Sequence, residues 1–232
     1  MLKRRGFRAF SIIALLLYFC AHMKYNTGMK VKTGVCKTEE LRMLLQKNNG
    51  FLRTAEATAE GVSRPYLGEF VRHNGLLRIA HGLYMAEDSW ADGMFVLQTR
   101  YPNAVFSHET ALYLLDLSDR EPIKYSVTIK TEASATNLIK SGAEVYKIRE
   151  SLHRLGIKEL MTPAGHKVVA YGAERTICDL IRSRTNIEIQ DYQSAIRGYM
   201  QKKDRDLNLL MQYAQEFHVE KILRSHLEVL MP

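Results

Sequence analysis

The sequence predicts an α+β protein of two parts, and three observations carry that reading. Short helical patterns and a glycine-turned hairpin crowd into residues 36–88. Strand-like runs then alternate with helices, among them PIKYSVTIK, AEVYKIR and the pair flanking TPAGHK. From Ala173 onward the periodicity is helical: ERTICDLIRSR, DYQSAIRGYMQKK, LNLLMQYAQEF and VEKILRSHLEVL. The expected layout is a leader-like segment at 1–28, a small domain at 36–88, and an α+β domain at 94–232 ending in a helical cluster.

Composition allows both parts to fold on their own cores. Of the 232 residues, 46% are apolar and 25% charged, so neither a disulfide scaffold nor a structural metal is needed. Cys20, Cys36 and Cys178 have no metal-ligand spacing, and their small odd number fits a reducing compartment. The net charge of +8 is unevenly placed: Lys3, Arg4, Arg5, Arg8 and Lys24 supply +5, with no acid before residue 29. Bulk charge therefore says little about a nucleic-acid partner, and local placement of Arg and His must decide.

The first segment, MLKRRGFRAFSIIALLLYFCAHM, has a basic start and an apolar run from Phe10 to Ala21. That run is short of the roughly 20 residues that span a bilayer. Leu17, Tyr18 and Phe19 are too bulky for a lipoprotein cleavage site before Cys20. Met29 opens MKVKTGVCKTEEL, a sensible cytosolic start. Three readings stand: a start codon placed too early, a membrane-targeting segment, or a disordered tail. The expected location is the cytoplasm, with membrane association as the alternative.

In order along the chain, TEELRMLLQK sets Leu41, Leu44 and Leu45 on one helix face, with Thr38 as a cap and Asn48-Asn49-Gly50 as the stop. A short helix from Thr54 to Gly61 follows, and Ala55, Ala57 and Ala59 permit close helix contact. After Val62, Ser63 caps the next helix, where Pro65 in the first turn loses no needed hydrogen bond. At about 100° per residue, Leu67, Phe70 and Val71 share one face. The other presents Pro65, Gly68, Glu69 and Arg72, with Tyr66 and His73 at an edge. LLRIAHGLYMAED then forms a hairpin around His81-Gly82.

Helix, tight turn, helix and hairpin make a winged helix-turn-helix, whose second helix enters the major groove. Arg78 and His81 would sit on the wing, while Arg53 and Thr54 open a helix whose free amides suit a phosphate. A bland reading stands beside this. Arg72 and His73 also suit a helix C-terminus, and Glu56, Glu60 and Glu69 nearly balance the arginines. A winged helix can equally serve as a protein-binding module.

The stretch NNGFLRTAEATAEGVSRPYLGEFVRHNGLLRIAHGLYM resembles the winged helix of AbiEi-type antitoxins, the repressor halves of type IV toxin–antitoxin pairs linked to phage defence. VFSHETALYLLDLSDREPIKYSVTI and VVAYGAERTICDLIR are similar to that family's second domain. The resemblance runs over roughly residues 37–230. It implies a sequence-specific repressor that binds inverted repeats in double-stranded promoter DNA, autoregulates its operon and counteracts a nucleotidyltransferase-type toxin, without requiring a stable toxin complex. The recognition role falls on Ser63, Arg64, Tyr66 and Arg72, and the wing on Arg78 and His81. No cofactor or small-molecule substrate is implied.

Enzyme motifs are absent from the second part. Ser107, His108 and Glu109 are adjacent, so their side chains are expected to diverge, leaving Ser107 as a helix cap. PIKYSVTIK offers Lys124 and Lys130 but no acid for a metal nuclease, and Asp116, Asp119 and Glu121 fall in a preceding turn. Asp179 and Arg182 read as surface partners at i, i+3. Arg182, Arg184, Arg197, Lys202, Lys203 and Arg205 form either an antitoxic surface, auxiliary phosphate contacts or a plain solvated face. No catalytic or metal-ligating residue is assigned. The alternatives in function are a DNA-targeted nuclease and a stand-alone transcriptional regulator.

Overall fold

The computed structural model describes residues 36–89 and 92–230, so the leader-like segment at 1–28 lies outside the described residues. Eleven α-helices and eight strands in two sheets make up that part of the chain.

Helix α1 (Lys37–Lys47) buries Leu41 and stops where Asn49 and Gly50 turn left-handed, at φ 47° and 87°. Glycine is required at 50 twice over, because a β-carbon there would sit 1.7 Å from Ser89 Oγ. The chain then makes a strand the sequence pattern hid, β1 (Phe51–Arg53), before α2 (Thr54–Ala59). Alternation explains it: Phe51 and Leu52 are both fully buried, on opposite faces and in different clusters, which a helical turn would not allow. Helix α3 (Arg64–His73) follows an extended Ser63, carries Pro65 in its first turn, and buries Leu67 and Phe70. Strands β2 (Leu77–Ala80) and β3 (Leu83–Met85) close the hairpin, with a bulge between Arg78 and Ala80. The sheet order is β1-β3-β2, all antiparallel.

Helix α4 (Gly93–Arg100) is capped by Asp92, whose carboxylate accepts from the Phe95 N–H. The second sheet has the order β6-β5-β4-β8-β7. Its strands are β4 (Val105–Phe106), β5 (Ser126–Lys130), β6 (Glu144–Ile148), β7 (Ile157–Met161) and β8 (Lys167–Tyr171). The pairs β4–β8 and β5–β6 are parallel, whereas β4–β5 and β7–β8 are antiparallel. The predicted strand from Pro122 is shorter than expected, beginning at Ser126 and leaving Ile123 86% exposed. Two brief helices escaped the sequence pattern, α6 (Thr136–Lys140) and α7 (Glu150–His153), being too short to show a period. Between β4 and β5 lies α5 (His108–Leu114).

The end of the chain is helical, as its periodicity requires. Helices α8 (Ala173–Arg182), α9 (Ile189–Gln201), α10 (Leu207–Glu216) and α11 (Glu220–Leu230) pack with α5 around Ile177, Leu180, Ile181, Ala195, Leu210 and Ala214.

Residues 38–230 pack as one compact unit, and its two sheets are fastened by a buried polar cluster. His166, beside the β7–β8 turn, places Nδ1 2.8 Å from Asp92 Oδ2 and Nε2 3.2 Å from the Asn48 carbonyl at the end of α1. Thr162 Oγ1 donates to the same Asp92 oxygen at 2.5 Å and accepts from the His166 N–H at 3.0 Å. The His166 ring stacks on Phe95 at 4.5 Å and meets Phe51 edge-on at 4.8 Å.

Candidate nucleic-acid interface

The outward face of α3 follows from its inward one. Because Leu67 and Phe70 are pulled into the cluster around Leu41, Leu52 and Val62, the residues between them turn to solvent. Ser63, Arg64, Arg72 and His73 are exposed, as are Arg78 and His81 on the hairpin. Ser63 stands at the N-cap without a side-chain hydrogen bond, so its hydroxyl remains open. Arg72 Nε donates only a long bond to the Gly68 carbonyl, at 3.4 Å, and Arg78 Nε a similar one to Ala80. Six of the nine predicted contact residues are thus solvent-exposed, and Arg64, Arg78 and His81 among them border one groove.

Three do not stand free. The Arg53 guanidinium lies 4.4 Å over the Phe95 ring, donates to Thr99 Oγ1 at 3.0 Å and pairs with Glu56 at 3.7 Å. The first amide of α2 is also occupied, since the Thr54 N–H donates to the Gly82 carbonyl at 2.8 Å. The Thr54 N–H is thus spent on a clasp that fixes the hairpin tip to α2. Tyr66 turns back toward α1, its hydroxyl 2.5 Å from Thr38 Oγ1.

Part of this region is concave. Thr54, Thr58, Arg64, Gly68, Arg78 and His81 line one side of a groove. Lys47, Glu159, Met161 and Lys167 border it too, so the second sheet reaches this face through its β7–β8 hairpin. Lys47 could have been suspected from its place in the last turn of α1. Lys167 could not, because only the tertiary fold brings it within reach. It is offset by Glu159 at 3.5 Å, an exposed pair worth little.

The second part differs from expectation at two polar positions. Ser107 and His108 do meet: Ser107 Oγ is 3.0 Å from His108 Nδ1, and Ser183 Oγ is 3.1 Å from its Nε2. A left-handed backbone at His108, φ 47°, turns the ring back beside its neighbour. Both residues are buried, the ring stacked 3.5 Å from Tyr146, so no substrate reaches the pair. Burial, reinforced by Arg175 and Arg182, lowers His108 to about 3. Glu109 instead accepts from Ser126 Oγ at 2.8 Å.

The expected Asp179–Arg182 surface pair is replaced by a buried one. Arg175 Nε donates to Asp179 at 2.9 Å, and its Nη1 donates to the Leu152 and Leu155 carbonyls. Its guanidinium lies between the Tyr171 and Phe217 rings, 4.1 Å from each. Cys178 is buried beside it, its thiol pushed up to about 12 by desolvation and so kept unreactive. Arg182, Arg184, Arg197, Lys203 and Arg205 are exposed, while Lys202 is half-buried and donates to the Leu115 carbonyl at 2.8 Å. Among the described residues no cluster of His, Cys, Asp or Glu has metal-binding geometry, and no helix is long and apolar enough to cross a membrane.

No curated protein matches the chain. A similar solved structure is that of the RV2827C protein from Mycobacterium tuberculosis, with a TM-score of 0.48 and 13% identity, covering 79% of this chain and 73% of that one. Residues 39–86, which hold α1 to β3 with the exposed α3 face and the hairpin, match the family described as transcriptional regulator, AbiEi antitoxin. The chain thus carries, over those residues, a transcriptional-regulator domain of the AbiEi antitoxin family.

Proposed function

We propose that this chain is a sequence-specific DNA-binding repressor and antitoxin of the cytoplasm. In this reading residues 36–88 form a winged helix-turn-helix that binds inverted repeats at its own promoter. Residues 94–232 form the antitoxin domain, which counters a nucleotidyltransferase-type toxin without a lasting complex. The observation that carries the reading is the shared exposure of Ser63, Arg64 and Arg72 on α3 with Arg78 and His81 on the hairpin.

The chemistry suits a duplex. Early residues of the second helix reach base edges, where an arginine fork pairs with guanine, while wing cations neutralise phosphate. The unbonded Ser63 hydroxyl and the adjacent Arg64 supply one contact of each kind. Arg53 and Thr54 line the groove beside these residues, and Tyr66 braces α3 against α1. Arg182, Arg184, Arg197, Lys203 and Arg205 are left for the antitoxic surface or for auxiliary phosphates, with Lys202 partly committed to Leu115.

Gel-shift titration at physiological salt tests this directly. The chain is expected to bind the DNA upstream of its own gene well above unrelated duplex. Arg64→Ala or Arg72→Ala should cost about 1–3 kcal/mol on that site if the side chain reads a base. Equal affinity for unrelated DNA would sink sequence-specific repression.

A further inference from the structure

We propose that a pocket on the C-terminal helices binds a small organic acid, its apolar body against Ile189, Tyr192 and Ile196 and its carboxylate between Arg184 and Arg197. The cavity holds about 380 Å³, the scale of sites for small ligands. It lies between α9 and α11 and shares no lining residue with the groove beside α3 and the hairpin, and it gives Arg184 and Arg197 a partner other than DNA phosphate.

Helical spacing builds the apolar wall. Ile189, Tyr192 and Ile196 fall at i, i+3 and i+7 on α9, one continuous row. Tyr192 and Ile196 are anchored in the helical core, but Ile189 is 70% exposed, so the row runs past its own core into the cavity mouth. The opposite wall is His226 of α11, whose Nε2 lies 2.7 Å from the Tyr192 hydroxyl. Burial raises the Tyr192 phenol, so this hydroxyl keeps its proton, and it shares a hydrogen bond with the ring nitrogen whose direction follows the His226 tautomer. The two helices are thereby pinned at the site.

The charge is complementary to an anion. Arg184 Nη1 donates to the Ile181 carbonyl at 3.0 Å, which orients the guanidinium and leaves its other N–H groups unspent. Arg197 also lines the cavity, and among the described residues neither arginine has a carboxylate partner. Two unpaired guanidinium forks above an apolar wall suit a carboxylate with a hydrocarbon or aromatic body. A neutral apolar ligand would leave both forks idle, and a bare phosphate would leave the isoleucines wet.

The test uses the full chain and the fluorescent probe 8-anilinonaphthalene-1-sulfonate, displaced by decanoate, 1-decanol or inorganic phosphate. Saturable binding is expected, reversed by decanoate and by neither decanol nor phosphate. Arg197→Glu and Ile189→Asp, both at exposed positions, should each weaken it by about tenfold or more without changing the melting curve. Absence of saturable binding, or binding untouched by both substitutions, would overturn the site. Displacement by phosphate would reduce it to an unspecific cationic surface. A dimer that Ile189→Asp converts to monomer would show that a second copy covers the groove instead.

Discussion

Gly68 lies in the middle of α3, where glycine costs about 1 kcal/mol relative to alanine. A β-carbon there would meet nothing within 4 Å, so no contact in the protein demands it. Gly68→Ala should therefore stabilise the free chain by up to about 1 kcal/mol, measured by urea unfolding. If that face lies against a duplex, the same change should weaken operator binding, so stability and affinity move in opposite directions. His108 gives a second residue-scale expectation. Its folded pKa of about 3 lies below the ordinary 6.5, so the unfolded chain binds the extra proton. Stability is full above about pH 6.5 and falls as pH drops toward 3, by up to about 1.4 kcal/mol per unit. His108→Asn, which tolerates the left-handed backbone, should flatten that slope in urea midpoints taken against pH.

At the scale of the element, α8 is both the most legible and the most misread helix. Its apolar stripe of Ile177, Leu180 and Ile181 was plain in the sequence, and those residues are fully buried. Glu174, Arg175 and Asp179 are buried as well, because the sheet, α7 and α10 enclose what a lone helix would leave wet. Periodicity reports where the apolar residues point, and not how many neighbours surround the polar ones. Arg175→Met should cost about 3–5 kcal/mol by chemical denaturation, since it strands the Asp179 charge and frees two carbonyls. Arg175→Met with Asp179→Leu should recover much of that loss. If the single variant is harmless, the buried pair is not what holds α8.

Across the whole molecule, what the sequence revealed was local. The helices of residues 37–73, the hairpin turned at Gly82 and the final helical cluster are all present. Ser63, Arg64 and Arg72 are also exposed, as a helix that buries Leu67 and Phe70 requires. What stayed hidden depends on distant partners: the three-residue β1, the inward hold on Arg53, and the approach of Lys167 to the groove. The resemblance to a repressor family suggested an autonomous module, yet nothing in residues 36–88 announces that Asn48 is held by His166, more than a hundred positions away.

That last contact has a mechanical meaning. The His166 ring bridges the Asp92 carboxylate and the Asn48 carbonyl through its two nitrogens, and Thr162 Oγ1 donates to the same Asp92 oxygen. Asn49 Nδ2 adds a bond to the Ala164 carbonyl across the same seam, at 3.1 Å. These bonds tie the end of α1 to the β7–β8 hairpin. A chain gripping one half of an inverted repeat through α3 would hold its second sheet at a set angle to the helical axis of the duplex. In the proposed repressor, the whole body, and not residues 36–88 alone, would then set how closely two copies can stand on neighbouring half-sites.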